Sequence, residues 1–145
     1  MRLLRIIIPM IFIVSIAYAG ENSTISGEVS FRDEGDIYIC LFTKDEFLDY
    51  PKHKLSRSQC QRVRMNSDFK KVGKVSFKFD SIPKGTYCIL TFQDVNMNQK
   101  IDIVGFTTTD PQGSYKEQVS PLSCLVWSEI KFDLERDLTD IKIQM

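Results

Sequence analysis

The chain has 145 residues, 43% hydrophobic and 26% charged, with 19 basic residues against 19 acidic ones. That length suits one ordinary domain with its own core, and the charge balance excludes a general nucleic-acid binder, which needs a basic footprint. Four cysteines and one histidine leave little material for zinc or for a nucleophile–histidine pair.

The chain opens MRLLRIIIPMIFIVSIAYAG. Arg2 and Arg5 precede an apolar run from Ile6 to Ala17, and Ala17-Tyr18-Ala19 supplies the small-x-small pattern of a cleavage site. This is the pattern of a secretory signal peptide. The run is shorter than the roughly 20 apolar residues of a membrane anchor, and no cysteine follows the cleavage site to carry a lipid. Residues 1–19 are therefore expected to be removed, leaving 20–145 as a single β-sandwich domain that does not span a membrane. Loss of Arg2 and Arg5 leaves the mature chain with a net charge of about −2. Its expected location is periplasmic or secreted.

Apolar residues then mostly alternate, the signature of strands. TISGEVSFR alternates at Ile25, Val29 and Phe31. Ile37 to Phe42 is continuously apolar and reads as a central strand covered on both faces. KVSFKFD alternates at Val75, Phe77 and Phe79, and Pro83 and Gly85 mark a turn. Thr86 to Phe92 reads as a second central strand, followed by IDIVGF, by EIKFDL with Ile130, Phe132 and Leu134 in phase, and by TDIKIQM. About seven short strands with turns between them predict an all-β chain, an immunoglobulin-like or prealbumin-like β-sandwich.

Residues 44–72 break this rhythm and read as one long loop. Thr43 and Glu46 have capping-box spacing, which predicts a short helix over Asp45–Asp49 stopped by Pro51. The segment holds eight Lys or Arg against four Asp or Glu. It is either a docking surface for an acidic partner or a solvated face, and the solvated face is the commoner outcome for a charged run.

Cys40, Cys60, Cys88 and Cys124 form an even set in a chain expected to reach an oxidising compartment, so two disulfides are expected. Three pairings exist. Cys40–Cys60 with Cys88–Cys124 is favoured, although sequence does not decide it. Zinc lacks any CxxC pair and has only His53 to help.

The stretch QDVNMNQKID places Asp94, Asn96 and Asn98 at alternating positions, the spacing with which a loop wraps calcium in side-chain oxygens. The backbone carbonyl of Lys100 and the carboxylate of Asp102 complete the candidate set, Ile101 could anchor the loop to the core, and Asp110 could reach in. Gln99 stands where such loops carry glycine for a sharp turn, and Gly105 where they carry a bidentate glutamate. Few charges imply weak binding, with a dissociation constant of about 0.1–1 mM. The competing explanation needs no metal, since Asn and Asp bond their own backbone in tight turns.

GTYCILTFQDVNMNQKID also resembles the core of a bacterial group, domain-of-unknown-function family 2141. Gly85, Tyr87, Asp94, Asn96, Asn98, Lys100 and Asp102 fall on its Gly-x-Tyr turn and Asp/Asn-rich loop, while FKFDSIPKG and SPLSCLVWSEIKFDL resemble its flanking segments. The resemblance covers most of residues 25–145 and implies an exported β-sandwich, without implying a reaction or substrate. Met97 and Gln99 stand where the family pattern has glycines. The segment GFTTTDPQGSY lacks the pattern's Pro-x-Glu, and the cysteines lie outside the pattern.

Three function classes follow. The first is a non-enzymatic exported domain, weakly calcium-binding, that engages an envelope or extracellular protein or a surface polymer; Tyr50, Tyr115 and Trp127 are the aromatic candidates for a polymer, against a commoner role in packing. The second is a purely structural, disulfide-stapled module. The third is a hydrolase using Asp94 and Asp102 as a carboxylate pair; against it, no nucleophile elbow and no metal-binding histidine pair are present.

Overall fold

The computed structural model describes residues 22–50, 60–105, 107–118 and 125–145. The expected signal peptide, Pro51, His53 and Cys124 lie outside these. Among the described residues, ten strands and three short helices follow in the order β1 (Ser23–Ser30), β2 (Asp36–Phe42), α1 (Lys44–Asp49), β3 (Cys60–Val63), α2 (Ser67–Val72), β4 (Lys74–Ile82), β5 (Gly85–Asp94), β6 (Ile103–Val104), β7 (Thr107–Thr108), β8 (Gln112–Ser114), α3 (Trp127–Ile130), β9 (Phe132–Leu134) and β10 (Leu138–Gln144). The chain is all-β, as expected from its alternation.

One sheet has the order β10-β1-β4, with β10 parallel to β1 and β4 antiparallel to it. The second has the order β3-β2-β5-β8, antiparallel throughout, with β9 pairing the start of β5. The alternating side chains do what their spacing predicts. Val75, Phe77 and Phe79 of β4 point inward with Ile25 and Val29 of β1 and Ile141 and Ile143 of β10, and they meet Ile37, Ile39, Leu41 and Ile89 of the second sheet. The polar partners on β4, Lys74, Ser76 and Lys78, stay exposed.

A second apolar layer explains why β2 is buried at every position. Tyr38, Cys40, Phe42, Cys88, Leu90 and Phe92 form the outer face of the second sheet, and Phe47 of α1, Ile101 and Ile130 of α3 cover it. Tyr50 stacks on Phe42 with ring centres 5.6 Å apart, and Trp127 meets Phe47 at 5.7 Å. These two aromatic candidates for polymer binding are therefore packed into this layer.

Segment 44–72 is not one long loop. It contains α1, β3 and α2. Glu46 accepts from the backbone N–H and hydroxyl of Thr43 at 2.9 and 2.8 Å, the reciprocal half of the predicted capping box. At α2, Asn66 Oδ1 accepts from Asp68 N and Phe69 N at 3.0 and 2.9 Å, and Gly73 ends the helix at φ 67°. A polar composition concealed β3 and α2, because a short capped helix and an edge strand need few apolar residues. EIKFDL is a second correction: Ile130 ends α3 and packs on the outer layer, whereas Phe132 and Leu134 belong to the inner core. All three are buried, which imitates one alternating strand although two layers are being filled. IDIVGF likewise yields only a two-residue strand, β6.

Candidate functional site

The candidate loop leaves the end of β5 and returns through β6. Asp94 is the last residue of β5 and is 0% exposed. Its two carboxylate oxygens accept the backbone N–H groups of Asn98 at 3.0 Å and Gln99 at 2.8 Å, turning the chain back on itself. Two residues make that turn possible by adopting left-handed conformations, Met97 at φ 63° and Gln99 at φ 66°. These are the positions at which the resembling family has glycine. Holding a side chain in this conformation costs about 1 kcal/mol per residue.

The remaining polar atoms close the loop from inside. Asn98 N also donates to Asn96 Oδ1 at 3.2 Å, and Lys100 N donates to Asn98 Oδ1 at 3.0 Å. Asn98 Nδ2 donates to both Asp102 oxygens at 2.9 Å, and Asn96 Nδ2 donates to Asp102 as well. These two amides, Asn98 first, hold the Asp102 carboxyl below its usual range. Ile101 is buried under the outer layer, as expected of an anchor.

Asp110 is the residue that closes the loop's ends. It is 4% exposed and accepts Asp102 N–H at 2.9 Å and Val95 N–H at 3.4 Å. Burial pushes its carboxyl up, and the charges of Asp102 and Asp94 push it the same way against the two N–H bonds. The other side of the loop's base is the β1–β2 turn. Gly35 lies at φ 123°, where an added Cβ would sit 2.3 Å from the carbonyl oxygen of Asp94, so no side chain fits there. Gln93 Nε2 reaches back to the carbonyls of Asp33 and Gly35 and ties that turn down.

Asp94, Asn96, Asn98, Lys100 and Asp102 are thus brought together. Among the described residues no group of three or more His, Cys, Asp or Glu is placed to hold a metal ion. A cation here would rest on amide and backbone oxygens beside the two carboxylates, which is chemistry that suits a hard ion such as calcium. Asn96 and Asn98 now present Nδ2 to Asp102, so holding an ion requires both amides to present oxygen instead. That change would give up the bonds that the two amide oxygens accept from Asn98 N and Lys100 N.

Sequence reasoning missed two neighbours of the loop. Asp36 pairs with Asp94 across β2 and β5, and both are buried. Arg62 on β3 donates from Nε to Asp36 Oδ2 at 2.8 Å and from Nη2 at 2.6 Å, and lies 5.7 Å over the ring of Tyr38. Asp36 precedes the apolar run from Ile37 and drew no reading, and Arg62 was one charge in a basic segment. Only strand register joins them.

Cys40 and Cys60, directly opposite on β2 and β3, form a disulfide with Cα atoms 4.1 Å apart, as favoured from sequence. Cys88 carries a free, buried thiol whose pKa burial raises to about 12. Its expected partner, Cys124, lies outside the described residues. Tyr115 is the third aromatic candidate. It meets Phe132 edge-on at 5.2 Å and lines an open groove of about 590 Å³ with Leu134, Arg136 and Leu138. None of the described helices is long and apolar enough to cross a membrane.

With the loop and both sheets described, comparison with known proteins places the chain. The family described as an uncharacterized protein conserved in bacteria (DUF2141) matches residues 29–142. The chain belongs to this family. The match spans from β1 to β10 and includes the whole Asp94–Asp102 loop, so the expected resemblance holds across the fold. No curated protein and no solved structure matches.

Proposed function

We propose that this DUF2141 chain is an exported, non-enzymatic β-sandwich that binds calcium weakly through Asp94, Asn96, Asn98, Lys100 and Asp102 and engages an envelope protein or a surface polymer. The observation that carries the calcium proposal is the turn itself. Met97 and Gln99 hold left-handed conformations that glycine would adopt more cheaply, and Asp94 gathers the N–H groups of Asn98 and Gln99. The result is a short loop that draws Asp94, Asn96, Asn98 and Asp102 together.

Export is supported by the signal pattern at the N-terminus and by a disulfide, a bond that persists in oxidising compartments. The aromatic wall at Tyr115 offers an open groove to a polymer. A hydrolytic role for Asp94 and Asp102 is the weaker alternative, because Asp94 is fully buried and both its oxygens are engaged by backbone N–H groups. The purely structural alternative is favoured by one observation: Asn96 and Asn98 satisfy Asp102 with their own amides, so the loop closes without an ion.

Thermal melting of the oxidised mature chain in EDTA and across calcium up to about 10 mM separates these two. Ligand at 100 times its dissociation constant adds about 2.7 kcal/mol. The expected result is a saturable rise of several degrees that is lost in Asp94→Ala and in the milder Asp102→Asn. No rise in the wild type leaves the structural module.

A further inference from the structure

We propose that Arg62 is a positioning residue for the Asp94–Asp102 loop, acting as the shared counter-charge of two buried carboxylates, Asp36 and Asp94, that the β2–β5 register sets opposite one another. Residues directly opposite on antiparallel strands project from the same face, and like charges placed so repel. Asp36 is 4% exposed and Asp94 0%, so water screens neither. Asp94 spends its oxygens on the N–H groups of Asn98 and Gln99. Asp36 takes the N–H of Met65 at 3.0 Å and two donors from Arg62.

Arg62 reaches this place through a row of contacts on one face of the sheet. Cys60 is bonded to Cys40, Arg62 lies opposite Tyr38 and over its ring, and Asp36 follows beside Asp94. The disulfide therefore holds the short edge strand that delivers the guanidinium. Burial first, with the charge of Asp94 adding to it, disfavours ionisation of the Tyr38 hydroxyl, and the hydrogen bond to Asp36 first, with Asp94 the smallest contributor, favours the charged form of Arg62. The 62nd position thus sets how much negative charge lies behind the first residue of the loop. The consequence has a definite sign. Removing the positive charge opens the loop in the absence of an ion and strengthens its attraction for a cation. Removing Asp36 does the reverse.

The test is amide hydrogen exchange at Asn98 and Gln99, the two donors to Asp94, together with the calcium-dependent rise in Tm. The full oxidised mature chain is compared with Arg62→Gln, Arg62→Lys, Asp36→Asn and the double variant Asp36→Asn/Arg62→Gln. In Arg62→Gln, exchange at the two amides is expected to quicken by about tenfold, with a larger rise in Tm for the same calcium. Arg62→Lys, which keeps the charge, and the double variant, which removes both charges, are expected to return close to wild type. Asp36→Asn is expected to show a smaller calcium response, and it decides the matter if Arg62→Gln does not fold. A merely structural ion pair also recovers in the double variant, but it predicts equal loss of Tm with and without calcium and exchange that quickens no more at Asn98 and Gln99 than across β3, and that result overturns the proposal. The calcium arm rests on the function proposed above. If the wild type shows no calcium response, that function fails by itself, and the exchange rates and their rescue by the double variant then decide the role of Arg62.

Discussion

The Asp94–Asp102 loop and the described parts of residues 44–72 are both polar, and they are held in different ways. The loop satisfies itself. Asp94, Asn96, Asn98 and Asp102 accept or donate almost entirely to one another and to the loop's own backbone, with Asp110 closing its ends. In the longer segment, the described parts are tethered from outside. A disulfide fixes β3, Phe47 sinks α1 into the outer layer, and Arg62 pairs with Asp36 of β2. A polar stretch can therefore gain order from a small set of carboxylates bonding N–H groups, or from a few anchors that bind it to the core. The first way concentrates carboxylate and amide groups in one place, and the second distributes charge over a surface.

The largest effect is expected where an anchor is removed. The Cys40–Cys60 bridge closes a sequence separation of 20 residues. Its removal in Cys60→Ser is expected to cost about 3 kcal/mol on the chain-entropy model and to lower Tm by about 10 °C. Hydrogen exchange is expected to quicken most in β3 and to spread to Asn98 and Gln99. A Tm change with those two amides left protected would break the link between the two regions.

An intermediate effect is expected from easing the loop itself. Gln99→Gly relieves a left-handed side chain at φ 66° and is expected to stabilise by about 1 kcal/mol, less what glycine gains in the unfolded chain. Thermal melts in EDTA measure this. A fall in Tm instead would show that contacts of the Gln99 side chain outweigh the cost of its backbone.

The smallest effect is in acid. Asn98, and then Asn96, lower the Asp102 carboxyl from its ordinary value of 3.8. Its contribution to stability is present above that value and is lost as pH falls through the lowered one. Asp110 is raised by burial and works the other way, contributing stability at low pH that is lost as pH rises. Asp102→Asn is therefore expected to flatten the acid fall of Tm measured below pH 4, leaving the opposite slope of Asp110. An unchanged acid profile would show that the amide bonds to Asp102 contribute nothing in solution.

The alternation of Val75, Phe77 and Phe79 and the unbroken run from Ile37 to Phe42 were enough to determine an all-β chain with one strand covered on both faces, because side-chain period is a local property of extended backbone. The spacing of Asp94, Asn96, Asn98 and Asp102 determined the composition of the loop for the same local reason, and the Thr43–Glu46 pair marked a helix start from three residues' separation. The tertiary structure alone decided that Ile130 and Phe132 fill different layers, that β10 runs parallel to β1, and that Asp36 and Arg62 join Asp110, which the sequence had offered, around the loop. Those placements depend on strand register and on which buried charge meets which counter-charge. They bring together residues 16 to 58 positions from the loop's first aspartate along the chain, and no local period carries that information.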